Sequence, residues 1–77
     1  MTAENDPIKI LGKHIRRLRR ERDLSQEALA WDAHIGRGTV SDIERGVTVV
    51  GVSTLFQIAK ALDVPPSKLF EPFDPKE

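Results

Sequence analysis

Arginine carries most of the chemistry this sequence offers. Lys9, Lys13, Arg16, Arg17, Arg19, Arg20 and Arg22 crowd the first 22 residues against Glu4, Asp6 and Glu21, while the other five basic residues are outnumbered by nine acidic ones. The formal net charge is zero, which alone argues against a polyanionic partner. The polarised distribution argues for one. Two later arginines, Arg37 and Arg45, bracket the polar stretch Gly38-Thr39-Val40-Ser41-Asp42. A guanidinium can donate two parallel hydrogen bonds to a phosphate, a carboxylate or the O6/N7 edge of guanine, so this stretch suits recognition of a planar acceptor surface. Acid-base chemistry has poorer materials: His14, His34, Asp32 and Asp42 form no recognisable catalytic constellation, and 77 residues leave little room for a pocket. The protein is expected not to be an enzyme. With no cysteine and no ligand cluster near either histidine, neither a metal nor a cofactor is expected.

Helices must position those arginines. Asp6-Pro7 reads as a helix start, because an Asp side chain accepts from free backbone amides and Pro at the first helical position forfeits no hydrogen bond. The first helix runs to about Arg22. Ile8, Leu11, Ile15 and Leu18 fall on one face, with Lys9, Lys13, Arg16 and Arg20 in a stripe beside it. Arg19 points toward the apolar side, so a carboxylate further along must neutralise it.

Leu24-Ser25 opens a second helix, about Gln26 to Ala33, with Ser25 as N-cap and Leu24 placed to staple against Leu29. It buries Leu29, Ala30 and Ala33. Trp31 lies off that face; a ring flat on the surface or against the tail is favoured over a contact across a dimer. After a turn at His34-Ile35-Gly36, a third helix spans Arg37 to Arg45 and ends at Gly46. Val40 and Ile43 point inward, with Glu44 at the edge of the buried side as the candidate partner for Arg19. Gly38, Ser41, Asp42 and Arg45 point outward, a small and polar face of the kind that enters a groove and reads base edges. This is a helix-turn-helix reading.

Val47 to Val52 is an apolar, β-branched connection with strand-like character. A fourth helix follows, about Val52 to Leu62, with Val52, Leu55, Ile58, Ala59 and Leu62 toward the core. Pro66 starts a last short helix to Phe70, and Glu71 to Glu77 is expected as an irregular tail. The expected organisation is a disordered segment over 1–6, one domain over 7–70 and a tail over 71–77. A domain this small has a marginal core, which makes a homodimer an expectation from size alone. The acidic, polar amino terminus lacks a secretory signal, and no apolar run approaches the roughly 20 residues of a membrane span, so no membrane partner and a cytoplasmic address are expected.

The pattern L-G-K-x-I-R-x-L-R-x-E-R-x-L-S-Q-E-x-L-A, followed by I-E-R-G and I-A-K-A-L-x-V, closely resembles the Cro and phage-repressor family of helix-turn-helix domains, also called the xenobiotic-response-element family. The likeness covers roughly Leu11 to Phe70. It implies an all-α, lambda-repressor-like bundle of five helices whose third helix lies in the major groove of double-stranded DNA, in dimers that bind two-fold related half-sites. By the same resemblance, Gln26 would contact a phosphate and brace the third helix. Arg37, Gly38, Ser41 and Asp42 would occupy base-reading positions, with Thr39 among them on the DNA-binding face, and Arg45 would hold the backbone. The family also places an ion pair where Arg19 and Glu44 stand, and it often dimerises through its fourth and fifth helices, here through Leu69, Phe70 and Phe73.

Four departures shape the expectation. Ala28 replaces a capping Glu, His34 replaces a frequent Gly in the turn, Asp42 is acidic in the middle of the reading face and would repel phosphate unless it accepts from cytosine N4 or pairs with Arg37 or Arg45, and Val49 and Val50 stand where relatives carry backbone-contacting cations. The last shifts phosphate contacts onto the first helix and Arg45, or makes the valine segment a protein contact. The function so implied is a sequence-specific transcriptional regulator, repressor or activator, acting as a dimer on a palindromic operator, with no small-molecule ligand because 77 residues leave no room for a sensing module. The competing reading is a protein-interaction module, antitoxin-like or an adaptor, with weak DNA binding.

Overall fold

The protein is described from a computed structural model, over residues 6–74. The expected disordered segment therefore lies outside the described residues except for Asp6, as does the end of the expected tail. Five helices follow in order: α1 (Pro7–Glu21), α2 (Gln26–Ala33), α3 (Arg37–Arg45), α4 (Val52–Ala61) and a closing 3-10 helix (Pro66–Phe73). Among the described residues there is no strand.

Local chemistry sets the boundaries. The Asp6 carboxylate accepts from the Ile8 amide at 2.9 Å, and Pro7 is the first helical residue of α1. Ser25 Oγ accepts from the Ala28 amide at 3.0 Å, so α2 starts securely without a capping glutamate. His34 ends α2 in the left-handed region at φ 60°, where a side chain costs more than glycine. The Ile35 amide still closes onto the Ala30 carbonyl at 3.0 Å. Gly36 opens α3 with no side-chain cap, and Gly46 ends it at φ 70°.

One core joins these elements. Ile15 and Leu18 of α1, Leu29 of α2, Val40 and Ile43 of α3, Ile58 and Leu62 at α4, and Leu69 of the closing helix are all buried. The close α1–α3 packing depends on Gly12: a Cβ there would land on the Ile43 carbonyl oxygen and 2.9 Å from that of Glu44. At the same crossing the Lys9 stem lies over Gly46.

Three expectations need correction. The last helix is 3-10 and reaches Phe73, absorbing the first three residues of the expected tail. Pro72 has no amide to donate, and the segment is held by tight bonds such as Lys68 amide to Pro65 carbonyl at 2.9 Å. The His14 ring nitrogen also lies 2.7 Å from the Lys68 carbonyl and ties the segment to α1. Val52, the first residue of α4, is 69% exposed and not in the core, whereas Leu55 in the same turn is buried. The Val47 to Val50 connection forms no strand, having no neighbour with which to pair.

Candidate nucleic-acid interface

The centre of the site is a polar hub beneath the turn. Arg19 Nε donates to Glu44 Oε2 at 2.7 Å and its Nη2 to Oε1 at 3.0 Å, while Nη1 donates to the Leu24 carbonyl at 2.7 Å. Gln26 Nε2 donates to the same Glu44 Oε1 at 3.1 Å. The Arg19 pKa is raised above its ordinary value, chiefly by the hydrogen bonds to Glu44, with burial opposing. One carboxylate thus fixes α1, the start of α2 and the end of α3 at a common point. No buried side-chain nitrogen or oxygen among the described residues lacks a partner.

Above this hub α3 presents its outward face. Arg37, Gly38, Thr39 and Arg45 are exposed, and Ser41 and Asp42 are half-buried beside them. Val40 and Ile43, buried on the opposite side, fix the helix's rotation so that these six residues face away from the core. Asp42 Oδ1 accepts from Arg45 Nη2 at 2.7 Å, so the acidic residue of the face is partly neutralised by its neighbour one turn on. Gln26 is half-buried at the α2 start, bonded inward to Glu44. It braces α3.

Other expected residues fall elsewhere. Leu69 is fully buried in the chain's own core, so it has no surface left for a dimer seam; this corrects the sequence expectation. Phe70 and Phe73 keep exposed surface, their ring centroids 6.5 Å apart. Trp31 is 82% exposed, and the closing helix packs chiefly on α1 and α4. Sequence reasoning missed Phe56, which is exposed on α4 and borders an open groove of about 580 Å³ with Ala59, Lys60, Asp63, Val64, Pro65 and Pro66. Its only sequence signal is position: four residues after Val52, it shares that residue's side of α4.

A family model described as helix-turn-helix matches residues 15–69. The chain belongs to the helix-turn-helix family. Among its relatives, the control protein C.BamHI of Bacillus amyloliquefaciens is 36% identical over 63 residues, covering 80% of this chain and 78% of the relative. The HTH-type transcriptional regulator y4dJ of Sinorhizobium fredii is 36% identical over 69 residues, 90% of each chain. This helix-turn-helix chain also superposes on the crystal structure of the restriction-modification controller protein C.AhdI from Aeromonas hydrophila with a TM-score of 0.81 and 36% identity, over 82% of this chain and 96% of that one.

Proposed function

We propose that this protein binds double-stranded DNA as a homodimer, one α3 in each half of a palindromic operator, and regulates transcription there. Membership in the helix-turn-helix family makes it a DNA-binding transcriptional regulator. The observation that carries the finer reading is the α3 face: Arg37, Gly38, Thr39, Ser41 and Arg45, exposed or half-exposed, above a buried core that fixes their direction. Small side chains at Gly38 and Ser41 let the helix approach the groove floor, and Arg37 at its first turn can donate to guanine O6 and N7. Asp42, already holding Arg45, suits a cytosine amino group.

The second copy is supported by the apolar surface of α4 and the closing helix. Val52, Phe56, Phe70 and Phe73 are all exposed, an apolar set that water solvates poorly. A two-fold axis beside α4 would cover it and set the spacing of the two α3 helices, which half-sites about one helical turn apart require. The likeness to the controller proteins favours a regulator of a restriction-modification system.

Selection from random duplexes, followed by titration of the winner against salt, tests the reading. A palindromic winner whose affinity falls steeply with salt is expected, through counterion release. No selected sequence, or an affinity indifferent to salt, sinks it in favour of a protein-interaction module.

A further inference from the structure

Four cations of α1 stand apart from the rest. Among the described residues Arg19 is held by Glu44, Arg17 lies 3.6 Å from Glu21, and Arg22 lies 3.7 Å from Asp63. Lys9, Lys13, Arg16 and Arg20 form no ion pair there. Their spacing of four, three and four residues keeps them in one row along the helix, about 16 Å from first to last at 1.5 Å per residue. Lys13, Arg16 and Arg20 are exposed.

The row's position gives it a direction. It begins at the C-cap of α3, where the Lys9 stem lies over Gly46. From there it continues along the flank of α1 next to Gly12 and Arg19, two of the residues that pack on or bond to α3. The row therefore starts over the residue that follows Arg45, at the end of the reading face. The connection that leaves α3 supplies no cation between Val47 and Val52. A row of like charges held a few ångströms apart repels itself and is stabilised by a polyanion whose charges repeat on a similar scale, as the phosphates of one DNA strand do.

We infer that Lys9, Lys13, Arg16 and Arg20 form a second, sequence-independent DNA contact that tracks the sugar-phosphate backbone beside the groove occupied by α3. The inference rests on the DNA-binding reading above. It divides labour within one domain: α3 discriminates, and α1 supplies the electrostatic share of affinity that the valine connection lacks. Loss of the row weakens every duplex equally, whereas loss of a base-reading side chain weakens only the correct one.

The test is the salt dependence of binding for the triple variant Lys13→Gln/Arg16→Gln/Arg20→Gln, which spares Lys9 and its packing on Gly46. Both the selected duplex and a scrambled one are titrated. The slope of log affinity against log salt is expected to become shallower by about 2 to 3 for both duplexes, with the ratio of their affinities unchanged. The charge-preserving swap Lys13→Arg/Arg16→Lys/Arg20→Lys is expected to keep the wild-type slope, with thermal melts of both variants reporting the fold. A wild-type slope in the triple variant, while the wild type still discriminates duplexes, overturns the inference and leaves the DNA-binding reading standing. Weakening confined to the selected duplex also overturns it, since the row would then act through α3. Charge-dependent binding to phosphatidylglycerol vesicles with an unchanged duplex slope overturns it in favour of a membrane surface. A wild type with no salt-sensitive affinity for any duplex overturns both readings.

Discussion

Arg19 and Glu44, 25 residues apart in sequence, meet as two parallel hydrogen bonds of 2.7 and 3.0 Å inside the domain, and Gln26 shares one of the two carboxylate oxygens. A pair this buried costs a great deal to desolvate, so its worth is seen when one member is removed and the other is stranded. Glu44→Ala is expected to destabilise the fold by about 3 to 5 kcal/mol in urea denaturation. Replacing both with apolar residues, Arg19→Met with Glu44→Leu, is expected to recover most of that loss. A double variant as unstable as the single would mean that the Leu24 carbonyl and Gln26, left behind by the exchange, matter more than the charge.

Gly12 tests the close α1–α3 approach. Replacing a mid-helix glycine with alanine ordinarily favours a helix by up to about 1 kcal/mol. Here the added methyl meets two backbone carbonyls of α3, which cannot rotate away as a side chain could. Gly12→Ala is therefore expected to destabilise, by about 1 to 3 kcal/mol, and to lower the melting temperature. An unchanged or raised melting temperature would show that α1 and α3 can separate freely.

The helices were legible because caps and apolar spacing act locally: Asp6-Pro7, Ser25 and Gly46 each stop or start a helix through bonds to residues only a few positions away. The Arg19–Glu44 partnership was legible too, since a charge on a buried face needs an opposite one and few were available. What could not be read was where exposed apolar residues go. Val52 and Leu55 both look like core on a helical wheel, and only the real extent of α4's neighbours separates the buried one from the exposed one. Leu69 and Phe70 are adjacent in a proline-rich stretch with no periodicity, so which of them faces inward depends on the 3-10 geometry. Gly12 offered a weak clue, since a helix interior tolerates glycine at a cost, but the α3 backbone that requires it lies over 30 residues away.

Asp42 and Arg45 share the outward face of α3 as a bonded pair, 2.7 Å apart. Asp42→Asn removes a negative charge from the face proposed to meet DNA and loosens Arg45. Affinity for random duplexes is expected to rise, and discrimination at one base pair of each half-site to fall, by roughly the 1 to 3 kcal/mol of one good base contact. Repeating the random-sequence selection with the variant checks this. A winner unchanged at every position would assign Asp42 to holding Arg45 alone.

Arg37 is exposed at the first turn of α3, with no ion pair among the described residues. Arg37→Ala should therefore leave the unfolding free energy within about 0.5 kcal/mol of wild type in urea denaturation. Competition binding should instead show a loss of 1 to 3 kcal/mol, about 5- to 150-fold, in preference for the selected duplex over a scrambled one. Equal weakening on both duplexes would reassign Arg37 to the phosphate backbone.

Phe56 decides the proposed dimer. It stands exposed on α4 between Val52 and the groove walled by Ala59, Val64, Pro65 and Pro66 with Lys60 and Asp63 at its polar side, while its own helix is anchored beneath it by Leu55, Ile58 and Leu62. A charge at this position is solvated in a monomer and costs little, but across a two-fold axis it would meet its own copy in an apolar seam. Phe56→Glu is accordingly expected to leave the melt of a dilute sample near that of wild type and to shift the sedimentation of concentrated protein from dimer to monomer. Binding to a full palindrome should then weaken to the level of a single half-site, because the two α3 helices no longer act as one ligand. If Phe56→Glu remains dimeric, the seam lies elsewhere, and the exposed Trp31 on α2 becomes the next surface to alter.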